Sequence, residues 1–152
     1  MALAQKVDAA TKSLLEKAEE FHGHLGPFLA MGVRMGRFGL EKLDIPKHKN
    51  SLRISLSVPA KIPYSCVVDG VQISTECTIG NQKLQLKNAG RIEACFEDSR
   101  SGHKITITPQ PTVLAMLEKQ VVEKNLSEEE ICKLAGRIAS MLERNLFSVK
   151  NG

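Results

Sequence analysis

The chain has 152 residues, of which 42% are hydrophobic and 25% charged, and its formal net charge is +4. That balance is ordinary for a soluble globular protein and excludes disorder as the main state, and the length is what a single core serves, so residues 1–152 are expected to form one domain. No apolar run approaches the roughly 18 to 20 residues of a membrane helix, and the 21 basic residues are scattered, with one Tyr and no Trp, which argues against nucleic acid as well as membrane as a partner.

The first eight residues, Met1 to Asp8, lack the apolar centre of a signal peptide, so a cytoplasmic location is expected. In a reducing compartment the four cysteines, Cys66, Cys77, Cys95 and Cys132, are expected as free or metal-bound thiols rather than disulfides. Leu3, Val7, Ala10, Leu14, Ala18 and Phe21 recur at steps of three and four, which predicts a helix from about residue 3 to 21. His22-Gly23-His24 follows it directly. Pro27 suits the first turn of a helix, where its missing N–H has no intrahelical partner, and a second helix is expected from Pro27 to about Leu43. Gly32, Gly36 and Gly39 each weaken that helix, so they predict close approach of a neighbouring element. Arg34, Arg37 and Glu41 rule out a membrane dimer motif. The Lys47-His48-Lys49 cluster reads as a solvated loop.

Leu52, Ile54, Leu56 and Val58 alternate with polar residues and predict a strand with one buried face, ended by Pro59 and Pro63. Residues 66–76 combine helical spacing with β-branched chemistry, and the pattern leaves them open between helix and strand, with helix preferred. Leu84 and Leu86, then Ile92, Ala94 and Phe96, then Ile105 and Ile107 predict a three-stranded antiparallel meander. Thr112 is expected to cap a helix over about 113–124. Ser127 with Glu130 forms a capping-box pattern before a last helix whose apolar face is Ile131, Leu134, Ala135, Ile138, Met141 and Leu142. These two closing helices are expected to cover one side of the sheet.

Two imidazoles on a tight turn suggest a transition-metal site, against the plainer reading of hydrogen-bonding turn residues. Cys66 near a helix start would have its thiolate favoured by the macrodipole, with Asp69 one turn further on the same side. Cys77 falls in the turn leaving that segment. A helix over residues 66–76 spans about 16 Å, so both sulfurs reach one ion only if the segment is shorter or bent. Cys132 is expected to serve packing, and Cys95 a second layer or a subunit contact. Glu19 and Glu20 read as a solvated helix face, and His103 as a turn residue. No phosphate loop, dinucleotide fingerprint, nucleophile elbow or Cys-x-x-Cys knuckle is present, and no catalytic residue is assigned.

The segments Phe21 to Gly36, Cys66 to Gln72 and Glu76 to Asn81, in that order, resemble the E-subunit family of formylmethanofuran dehydrogenase. The resemblance covers roughly residues 15 to 110. It implies an α+β fold with a mixed sheet, helix over strand for residues 66–76, a homodimer, and a metal held by His22, His24, Cys66 and Cys77. With the elements read above, the expected architecture is a mixed four-stranded sheet with helices packed on it, in the order α-α-β-α-β-β-β-α-α. Zinc suits the mixed nitrogen and sulfur ligands best, with nickel or iron as alternatives. Two departures from the family pattern stand out: Gly26 where a cysteine often follows the histidine pair, and no cysteine-rich zinc ribbon before Gly152. The resemblance therefore implies a small metal-binding protein, acting on a small-molecule substrate if any, and not the dehydrogenase activity itself. The alternative is a metal-independent accessory protein that binds a partner protein.

Overall fold

The computed structural model describes residues 6–47 and 50–152. The first helix, α1, is Ala9–His22, later than the periodicity predicts, because Asp8 takes an extended conformation and its carboxylate accepts from the Thr11 N–H at 2.7 Å. A capped start outcompetes the extra turn. Leu3 lies outside the described residues. The buried positions of α1 are Thr11, Leu14 and Ala18, whereas Phe21 is 62% exposed and does not join the core as its spacing suggests.

Helix α2 spans Pro27–Leu43, as expected from its proline start. Thirteen of its 17 residues are buried, which makes it the central helix of the molecule, with neighbours on every side. α1, α3 (Cys66–Thr75) and α5 (Glu128–Ser140) all pack on it. The glycines explain how α3 comes so close: a Cβ on Gly32 would collide with the Val67 carbonyl oxygen and sit 3.0 Å from the Gly70 Cα. A Cβ on Gly39 would strike the Phe96 ring, so α2 also lies directly on the sheet.

The sheet has five strands in the order β2-β1-β3-β4-β5: β1 (Leu52–Val58), β2 (Leu84–Asn88), β3 (Glu93–Asp98), β4 (Lys104–Pro109) and β5 (Phe147–Asn151). It is mixed and the fold is α+β, but the expected count of four strands is corrected to five. The predicted meander is also corrected. β2 pairs with β1 in parallel, Ile54 opposite Leu84 and Val58 opposite Asn88, while β3 pairs antiparallel with the other side of β1. A parallel pair needs a crossover, and α3 supplies it. Leu86 is 42% exposed on this edge strand. The antiparallel β3–β4 pairing is present, with Phe96 opposite Ile105, and β5 closes the other edge against β4.

Leu52, Ile54, Leu56, Val58, Ala94 and Phe96 are buried on the face that meets α2. Arg53, Ser55, Gln85, Cys95 and Thr106 occupy the other, which is polar and open. Of the closing helices, α4 is Pro111–Leu117 with Gln110, not Thr112, at its N-cap, and it continues as a π-helical turn over Glu118–Glu123. α5 has the expected capping box: the Ser127 hydroxyl accepts from the Glu130 N–H at 3.2 Å, and the Glu130 carboxylate accepts from the Ser127 N–H at 3.3 Å. It ends before Met141 and packs on α2, with Leu134, Ala135 and Ile138 joining the same core as the buried face of the sheet. Arg34 of α2 donates to the Ile138 and Ala139 carbonyl oxygens at the end of α5. A short α6 (Glu143–Leu146) leads into β5. Among the described residues, no helix is long and apolar enough to cross a membrane.

Candidate functional site

α1 stops at His22 because Gly23 has φ +105°, a conformation open to glycine and strained for other residues, and its N–H caps the helix by donating to the Glu19 carbonyl oxygen at 2.8 Å. The reversal brings the rings flanking Gly23 together. The His22 and His24 centroids are 4.9 Å apart and the planes tilted by 40°. Thus the His-Gly-His spacing is a helix terminator with an imidazole on each side.

α3 then reaches back to this turn. The Asp69 Oδ2 lies 2.6 Å from the His22 Nδ1, which fits the tautomer in which Nδ1–H donates to the carboxylate and Nε2 keeps a free lone pair. Asp69 was legible only as a neighbour of Cys66; nothing in the sequence joins it to His22.

His22, His24 and Cys66 line one cavity of about 520 Å³. Phe28, Leu29 and Pro63 line it too, and α5 provides Glu128, Ile131 and Cys132. Cys132 is exposed, so its expected packing role is corrected. Glu19, exposed on α1, is among the residues lining the same cavity, while Glu20 is exposed as expected. Burial raises the Cys66 thiol pKa above the ordinary value, and the Asp69 carboxylate raises it further. The thiolate favoured by the helix start is therefore corrected to a thiol, because desolvation and the nearby negative charge outweigh the macrodipole.

Cys77 stands apart. It is fully buried beyond the other end of α3, a helix whose ten residues span about 15 Å, and its sulfur faces the Leu52 carbonyl oxygen at 4.0 Å. Burial raises this thiol's pKa also. The structure thus brings together His22, His24 and Cys66 and leaves Cys77 outside the cavity. Among the described residues, no group of three or more histidine, cysteine, aspartate or glutamate side chains is placed to hold a metal ion. Cys95 is half-buried on the open sheet face and His103 is exposed at the turn into β4; His48 lies outside the described residues.

The mixed sheet, the central glycine-bearing helix and the histidine-lined cavity define an α+β protein with a partly enclosed site whose wall is largely apolar. The chain belongs to the FmdE family, described as "FmdE, Molybdenum formylmethanofuran dehydrogenase operon", whose model matches residues 21–148. It is 30% identical over 132 residues to a "Probable S-adenosyl-L-methionine-binding protein" of Archaeoglobus fulgidus, covering 80% of this chain and 36% of that protein. The chain thus spans about a third of the length of that relative. Its fold is similar to the crystal structure of a tungsten formylmethanofuran dehydrogenase FmdE-like protein from Syntrophus aciditrophicus, with a TM-score of 0.61 and 18% identity over 100% of this chain and 77% of that one.

Proposed function

We propose that this protein binds a transition metal, zinc before nickel or iron, in the cavity between the His-Gly-His turn and the start of α3. The observation that supports this most is the His22–Asp69 contact at 2.6 Å. A ligating histidine characteristically donates its second ring nitrogen to a carboxylate, which fixes the ring and raises the basicity of the metal-facing nitrogen. His24 and Cys66, which line the same cavity, offer a nitrogen and a sulfur donor, a combination that suits zinc. Cys77 does not fit this donor set, since its side chain is buried against the β1 backbone. Loading requires the His24 and Cys66 side chains to turn toward the His22 Nε2 and the Cys66 proton to leave.

Metal analysis of untagged protein tests the reading. Wild type and Cys77→Ala retain about one metal per chain, and His22→Ala and Cys66→Ala lose it. Equal occupancy in all four would eliminate these ligands.

A second reading takes the cavity as a site for S-adenosylmethionine, favoured by the name of the Archaeoglobus fulgidus relative and by a volume of about 520 Å³ with an apolar wall at Phe28 and Leu29. Calorimetric titration of metal-free protein with S-adenosylmethionine separates the two. Saturable heat that survives chelation and His22→Ala supports the nucleoside, and its absence in the presence and absence of metal rejects it.

A further inference from the structure

We propose that the uncovered face of the sheet is a docking surface for a partner protein that presents an acidic patch, a role independent of what the histidine-lined cavity binds. Phe96 of β3 lies against Gly39 of α2, so the alternate residues of that strand, Glu93, Cys95 and Glu97, point to the opposite side. Directly paired residues on neighbouring strands share a face, and the register therefore shows what this surface is made of. Lys87, Ser57 and Glu93 form one row across it, and Arg53, Glu97 and Lys104 another. Between them run Gln85, Ser55, Cys95, Thr106 and Lys150.

Basic residues scattered along the sequence gather here. Arg53, Lys83, Lys87, Arg91 and Lys104 line a broad trough of about 610 Å³ along this surface, Lys150 stands beside it opposite Thr106, and Glu93 and Glu97 are the only carboxylates among the described residues that line it. The excess of six cations over two anions equals the net charge of the whole chain, +4, so the remaining Lys and Arg balance the remaining Asp and Glu. Both carboxylates are already matched within the chain, Glu93 with Arg91 at 3.3 Å and Glu97 with Lys104 at 3.6 Å. Arg53, Lys83, Lys87 and Lys150 pair with no carboxylate among the described residues, and Arg53 and Lys83 donate only to uncharged oxygens of Asn50 and Leu52. These four cations surround a middle of small neutral side chains, Ser55, Ser57, Cys95 and Thr106, over which carboxylates of a partner can settle. Nucleic acid fits less well, because no aromatic side chain lines the trough for bases to stack on. A membrane fits less well because the one large apolar residue lining it, Ile54, is buried and unable to insert. A second copy would set like charge against like charge. Exposed lysines of this kind steer encounter more than they hold a complex, so the association is expected to be fast and sensitive to salt.

The test is amide NMR of the full-length chain titrated with a short poly-glutamate peptide, with oligothymidylate of matched charge and phosphatidylserine vesicles as rival probes. Poly-glutamate is expected to shift the amides of β1, β3 and β4 and to leave those of α1 and α5 in place. Its binding is expected to weaken by about tenfold or more when salt rises from about 0.05 M to about 0.5 M. Arg53→Glu with Lys87→Glu is expected to weaken it at least about tenfold at low salt, whereas Lys12→Glu with Lys17→Glu, the same change of charge on exposed positions of α1, leaves it within about twofold. Melting curves check that both double variants fold; if the first does not, the single Lys87→Glu, at an exposed position of an edge strand, carries the comparison. Shifts spread over the whole molecule, equal affinities in the two double variants, or no binding of poly-glutamate at low salt would each overturn the proposal. Tighter binding of oligothymidylate or of the vesicles overturns it too, assigning the face to nucleic acid or to a membrane. A dimer in sedimentation that Lys87→Glu dissociates overturns it in favour of a second copy.

Discussion

The Nδ1 of His22 and the Oδ2 of Asp69 lie 2.6 Å apart, joining the last residue of α1 to the first turn of α3 across 47 positions of sequence. In the proposed site this contact orients the ring. Asp69→Asn keeps the size of the side chain and removes its charge, so metal affinity is expected to fall about 10- to 100-fold, with the thermal midpoint of the metal-free protein little changed. Competition against a chromophoric chelator measures the first quantity and a melting curve the second.

Gly32 and Gly136 give substitutions of opposite sign. Gly32→Ala drives a methyl group into the Val67 carbonyl oxygen where α2 crosses α3, so it is expected to destabilise by at least about 1–3 kcal/mol. Gly136 lies in the middle of α5 with nothing within 4 Å of a would-be Cβ, and Gly136→Ala is expected to stabilise by up to about 1 kcal/mol. Urea denaturation of the two variants beside wild type reads both shifts. A Gly32→Ala protein as stable as wild type would refute the close crossing.

The buried Cys77 thiol makes stability depend on pH. Its folded pKa is raised by burial, so above the ordinary thiol range, about pH 8.5, the unfolded chain releases the proton more readily than the folded one. The stabilising contribution is complete below that range and is lost as pH rises toward the folded value. Wild type is expected to lose denaturation free energy on going to alkaline pH more steeply than Cys77→Ala. Equal slopes would mean that this thiol titrates alike in both states.

Ser127 begins the helix that carries Glu128 and Cys132. Ser127→Ala removes one side of the capping box and is expected to cost about 1 kcal/mol, while the conservative Ser127→Thr retains most of it. Calorimetric melting distinguishes the two, and an alanine variant indistinguishable from wild type would show that the cap contributes nothing.

Local signals carried much of this architecture. Pro27 marked the start of α2, the period-two run from Leu52 to Val58 marked β1, and Ser127 with Glu130 marked the start of α5. In each case neighbouring residues hold the determining interactions. β5 was illegible for the opposite reason: only Phe147 of its five residues is buried, and the strand is defined by backbone bonds to β4, far earlier in the sequence. The partner of β2 was likewise set by the α3 crossover rather than by the Leu84–Leu86 alternation. At the site, His22 and His24 stood out through their spacing, whereas Cys66 and Cys77 looked equivalent until the straight run of α3 put them at opposite ends. Nothing local marked Cys132 as a cavity residue, because its position depends on how α5 docks against α2.

The near contact of the Gly32 and Gly70 backbones acts as a spacer gauge for chemistry carried on other residues. Asp69 adjoins one of those glycines, and the helix holding the other begins at Pro27, just past the imidazole loop, so a methyl group wedged into the crossing would pry carboxylate from ring without altering either. Mutational surveys confined to polar side chains would therefore overlook two glycines that set the spacing of the helices carrying this pair.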